Sequence, residues 1–170
     1  MVVIAIIGIL ASIAIVNIGR NPDRDVRLEA DRLVTFLRDV QNKALATDKA
    51  GLALGSDEKL CGFGIYGTFG EADSLQSYYV NTKEINYGDP PITISGLDQD
   101  CASLAGNTGR LYGDDFFVKN DVKINLGTNF LFLIPNGDVY IDDGSERVTI
   151  NLTKSGVTVP VYIEETGRIY

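Results

Sequence analysis

The chain contains no histidine. That absence removes Ser-His-Asp and Cys-His nucleophile systems and the usual zinc sites, all of which need an imidazole. There is no P-loop, no Gly-x-Ser-x-Gly, and no Gly-x-Gly-x-x-Gly between a strand and a helix. No basic run occurs either. The densest cations, Arg20 to Arg38, are interleaved with Asp23, Asp25, Glu29 and Asp31, and the net charge is −8. Duplex nucleic acid is therefore disfavoured as a partner, because phosphate contacts dominate that affinity. Adjacent carboxylates such as Asp114–Asp115 and Asp142–Asp143 point to opposite sides of a strand and read as solvated turn residues. "DQDC" and "DDGS" offer oxygen ligands but lack the EF-hand spacing. Nothing selects a catalytic residue, a metal site or a cofactor, so the expectation is a protein that is not an enzyme.

What is present is a long apolar opening. "MVVIAIIGILASIAIV" carries no charge and one hydroxyl, Ser12. A signal peptide would begin with a basic n-region, which is missing. A buried core helix needs a less uniform surface. A membrane helix needs about 20 apolar residues to cross roughly 30 Å. At about 1.5 Å per residue this run reaches only about 24 Å. It reads as a membrane helix that begins about six residues late.

The string "VVIAIIGILASIAI" resembles the N-terminal segment of type IV pilins and type II secretion pseudopilins. Gly8 matches a glycine of that family, and Met1 falls where leucine or methionine is common. The resemblance covers Met1 to about Val16. The basic leader, its processing site and the Phe-Thr-Leu-Ile-Glu motif do not appear, and all would lie upstream of Met1. The expectation is that Met1 is not the mature N-terminus. The resemblance implies that Val2, Val3, Ile4, Ile6, Ile7, Gly8, Ile9, Leu10, Ile13 and Ile15 pack in membrane or filament core. It implies other pilin or pseudopilin subunits and cytoplasmic membrane lipid as partners, and prepilin peptidase if an upstream leader exists. It also implies a single-pass inner-membrane protein with its head outside the cytoplasm, later part of a surface or periplasmic filament.

Gly19, Asn21 and Pro22 mark a joint. Asn21 is a good N-cap and Pro22 a good first helical residue, whereas inside a continuous helix Pro22 would break a hydrogen bond. Beyond it Val26, Ala30, Leu33, Leu37, Val40 and Ala44 recur at helical spacing. Phe36 and Leu45 widen that face. Arg27 with Asp31 and Asp39 with Lys43 are i,i+4 pairs on the other side, and Gly51 is a C′ candidate.

After Gly51 the period becomes two. Phe63, Ile65 and Phe69 fall in a first strand region. "SYYVNT", "VKINL", "NFLFLIP", "DVYID", "RVTINLT" and "VTVPVYIEE" follow, with turn signals "PNGD" and "DDGS". Pro160 should sit on an edge. The region from Thr82 to Asp115 reads as irregular loop. The expected fold is α+β and pilin-like: a long N-terminal helical stem, apolar then amphipathic, packed on a C-terminal antiparallel sheet domain. The divisions are 1–20 (apolar segment), 21–50 (amphipathic helix) and 51–170 (β-rich head). Phe132, Pro135, Gly137, Gly167, Arg168 and Ile169 loosely resemble the outline of H-type minor pseudopilins. The function implied is a structural filament subunit of minor grade. The alternatives are a filament-tip binding module using the loops at 82–115, as adhesin or uptake receptor, and a membrane-tethered enzyme.

In a domain translocated as the resemblance implies, Cys61 and Cys101 suggest a disulfide, with two separate buried thiols as the alternative. The bond would close a loop of about 40 residues, with an entropic contribution of about 4 kcal/mol in the chain model. Alkylation under non-reducing conditions and mass mapping of protein matured outside the cytoplasm should find the two joined. Free thiols on both would establish the alternative.

Overall fold

The computed structural model describes residues 21–50, 52, 59–67, 71–81, 92–94, 107–141 and 143–170. Helix α1 runs Pro22–Leu45. Asn21 is its N-cap, in extended conformation, and its side chain accepts a hydrogen bond from the Arg24 backbone N–H at 3.4 Å. Asp23 and Asp25 lie in the first turn and Lys43 in the last, each favourable to the helix dipole. Val26, Ala30, Leu33, Leu37, Val40 and Ala44 are all buried. Phe36 is half-buried, but Leu45 is exposed and does not extend the face. The helix stops earlier than Gly51, which lies outside the described residues. Thr47 takes a positive φ of 51°. Its N–H donates to Ala44 O, and Asp48 N–H donates to Lys43 O, the pairing that closes many helix C-termini.

Among the described residues nine strands follow: β1 Leu60–Tyr66, β2 Ser74–Asn81, β3 Ile92–Ile94, β4 Asn107–Phe117, β5 Lys123–Leu126, β6 Phe130–Leu133, β7 Val139–Ile141, β8 Arg147–Lys154 and β9 Val157–Glu164. All pairings are antiparallel. One sheet has the order β3-β4-β2-β1-β6-β7 and the other β5-β8-β9. Strands β3 and β4 fall in the stretch read as irregular. The Gly- and Asp-rich sequence of β4 carries little strand propensity, and ladder pairing with β2 overrides it; β3 is only the three residues Ile-Thr-Ile, paired to β4. Pro160 lies on β9, an edge strand. Tyr162 exchanges both backbone bonds with Tyr170, so alternation turns the nitrogen of Pro160 to that same outer side.

The expected fold is corrected here. Among the described residues there is one helix, 24 residues long, and no long N-terminal stem laid on a sheet domain. The fold is mostly antiparallel β. Helix α1 is a core element seated on both sheets, touching β8 and β9 of one and β1 and β6 of the other. Its stripe joins Phe63, Ile65, Phe130, Phe132, Ile150 and Ile163 in one core. The residues 1–20 that were to form the first half of the stem lie outside the description.

Among the described residues, backbone bonds join the sheets at two places. Ala72 and Ile124 exchange backbone hydrogen bonds of 2.8 Å, and Val139 N–H donates to Glu165 O at 2.8 Å. The larger sheet also buries its other face, where Cys61, Tyr78, Val80 and Leu131 cluster. There Tyr78 lies across Gly64, its cross-strand partner, and donates from its hydroxyl to Phe130 O at 3.1 Å. A Cβ on Gly64 would stand 2.2 Å from Tyr78 Cζ. Gly64→Ala should therefore cost about 1–3 kcal/mol as an overpacked core site. Gly127→Ala, whose new atom meets only Thr149 O at 3.6 Å, should be near neutral. Urea unfolding of the two variants beside the parent checks this. Equal midpoints would remove the packing argument.

Candidate functional site

The first turn of α1 is tied to the smaller sheet. Lys154 Nζ donates to Asp25 Oδ2 at 2.6 Å, with side chains about a fifth exposed. Lys154 is placed there by the tight turn at Ser155 and Gly156, both at positive φ, which suits a two-residue hairpin. Arg27 bonds Asp23 one turn back at 3.0 Å, rather than Asp31. That hydrogen bond raises the guanidinium above its ordinary range. Asn21 and Pro22 of the predicted joint hold the N-cap and first helical position. Gly19 lies outside the described residues.

A second constellation gathers the carboxyl end of α1, the "PNGD" turn and the chain terminus. Gln41 Nε2 donates to Gly167 O at 2.8 Å and to Gly137 O at 3.4 Å. Arg38 donates to Ile169 O at 3.4 Å. Gly137 and Gly167 sit at φ 73° and 79°. A Cβ on Gly167 would lie 2.6 Å from Gly137 O, so the two turns meet backbone to backbone, where only glycine fits. The sequence singled out Gly137, Gly167 and Ile169 but not Gln41. Its polar side chain about one turn before the end of an amphipathic helix gave no signal of its role.

Among the described residues, clefts open to solvent include two. One, of about 720 Å³, is lined by Ser145, Glu146, Arg147, Thr149, Glu164, Glu165 and Thr166. Beside it Arg147 stacks on Tyr162 at 4.5 Å, Tyr162 on Tyr170 at 5.5 Å, and Arg168 on Tyr170 at 5.0 Å. Tyr170 donates from its hydroxyl to Glu164. Asp143 accepts from Ser145 N–H at 3.0 Å, and hydrogen bonds from the Ser145 side chain and backbone hold its carboxyl below the usual range. This makes "DDGS" a turn. The other cleft, about 340 Å³, is lined by Arg32, Thr35, Phe36, Asp39 and Phe116. Arg32 there pairs with the buried Glu29 and covers the Phe116 ring. Among the described residues no group of three or more His, Cys, Asp or Glu is placed to hold a metal ion.

The predicted packing residues Val2, Val3, Ile4, Ile6, Ile7, Gly8, Ile9, Leu10, Ile13 and Ile15 lie outside the description, as does Cys101. Cys61 is buried on β1. No helix among the described residues is long and apolar enough to cross a membrane.

No family model, no curated protein and no solved structure matches the chain.

The part-buried Lys154–Asp25 pair should show a coupling of about 1 kcal/mol in a double-mutant cycle with alanine. The exposed Arg27–Asp23 pair should show no resolvable coupling. Thermal unfolding of the two cycles measures both, and equal couplings would mean that burial does not set their strength.

Proposed function

We propose that this chain is a structural subunit, of minor grade, of a type IV pilus-like or type II secretion pseudopilus filament. Its apolar N-terminal segment holds it in the cytoplasmic membrane before assembly, with the head outside the cytoplasm. The observation that carries this reading is the apolar string from Met1 to Val16 with Gly8 in the family's place. It stands just ahead of a helix that has its own N-cap at Asn21 and whose apolar stripe is already consumed by the head. In this reading the segment packs in lipid or against other copies, where small residues such as glycine allow close approach. Other subunits and membrane lipid are the partners, with prepilin peptidase where a leader precedes the segment.

A binding module at a filament tip is the second reading. It draws on β3, a three-residue strand at the edge of the larger sheet and within the stretch 82–115; surface segments beside a rigid scaffold commonly carry recognition.

The test separates segment from head. Gly8→Leu in the full chain should lower recovery in sheared filaments while leaving the head as resistant to protease as the parent. Leu37→Asp, a charge in the core, should make the head protease-sensitive, at a cost of several kcal/mol. Full-length protein found wholly outside the membrane and filament fractions, or Gly8→Leu assembling like the parent, would reject the proposal.

A further inference from the structure

The turn between β6 and β7 carries Asn136-Gly137, the chain's only Asn-Gly step. A glycine leaves its backbone nitrogen unshielded, within reach of the preceding asparagine's side-chain carbonyl carbon. Here the two reacting groups are in opposite environments. Asn136 is exposed and Gly137 is buried. The Gly137 N–H donates to Leu133 O at 2.8 Å, its carbonyl accepts from Gln41, and Leu45 covers its α-carbon so closely that a Cβ would stand 2.7 Å away. The electrophile is in water while the nucleophile is tied down.

We propose that Asn136 is a self-modifying site, gated by the contact of Gln41 and Leu45 with the turn. When the turn opens, the Gly137 nitrogen gives its proton to solvent and bonds to Asn136 Cγ. The Cγ–Nδ2 bond breaks, and Nδ2 takes a proton from water and leaves as ammonia. Water then opens the cyclic imide at either carbonyl, giving aspartate or isoaspartate. No oxidant or cofactor is required. The isoaspartate product lengthens the main chain by one carbon and sets a new carboxylate beside Asp138. The change falls in the turn that leads directly into Val139, whose N–H links the two sheets. The lengthened turn does not refit beneath Gln41, so each modification is a permanent record of one opening.

The test is peptide mapping of the Asn136 segment in full-length protein incubated at neutral pH, with isoaspartate detected by enzymatic methylation. The native chain should react most slowly and the urea-unfolded chain fastest. Gln41→Ala should react about tenfold faster than native, the population change expected from losing one hydrogen bond in a local opening equilibrium. Leu45→Ala, at an exposed position, should accelerate it in the same direction and serves if Gln41→Ala does not fold. Asn136→Gln should keep its melting curve through an incubation in which the parent's declines. Native protein reacting as fast as the unfolded chain, or both variants reacting at the native rate, would overturn the proposal.

Discussion

Everything in the head depends on burial of one stripe of α1. Val26, Leu33, Leu37, Val40 and Ala44 are at most 1 % exposed, and they meet side chains from both sheets at once. A three-stranded sheet and a six-stranded sheet are otherwise joined at their margins by few backbone bonds. Neither can hide its inner face alone, and the helix is the element that lets both do so. Removing apolar area from water at roughly 25 cal/mol per Å² makes this shared face the dominant favourable term.

Polar contacts on the helix flanks set how the stripe is oriented. At one end Asp25 meets Lys154 from the β8–β9 turn. At the other Gln41 and Arg38 reach carbonyls of the β6–β7 turn and the terminus. These bonds are individually modest, because folding exchanges them for bonds to water. Their value is directional: they fix rotation and axial position, which apolar contact alone leaves loose. The same carboxyl end gathers two glycine turns, so the parts of the chain farthest apart in sequence are adjacent there.

Much of this was legible locally. The six apolar positions of α1, the Asn21 cap, Pro22 and seven of the nine strands follow from periodicity and turn chemistry, which act within a few residues. The edge placement of Pro160 follows from its missing N–H. β4 was not legible, because "NTGRLYGDD" has no alternation and little β-branched content and its order comes from β2 alongside; β3 is three residues long, too short for a period to show, and is ordered by β4. The stem was over-read for a related reason. Spacing marks a helix face as apolar without stating what covers it, and in the structure the face of α1 is enclosed by two sheets as a core element rather than laid as a stem on one.

The sequence by itself determined the amphipathic helix, the strand-rich remainder, the lack of histidine chemistry and the apolar opening. Each is a property of residue type and short-range spacing. Tertiary structure alone decided that the strands divide into two sheets, that one helix serves both, and that Gln41, Gly137 and Gly167 converge. Those outcomes depend on which distant faces exclude water together, and on which backbones can approach closely once they do. That is a property of pairing across the chain, and no local pattern encodes it.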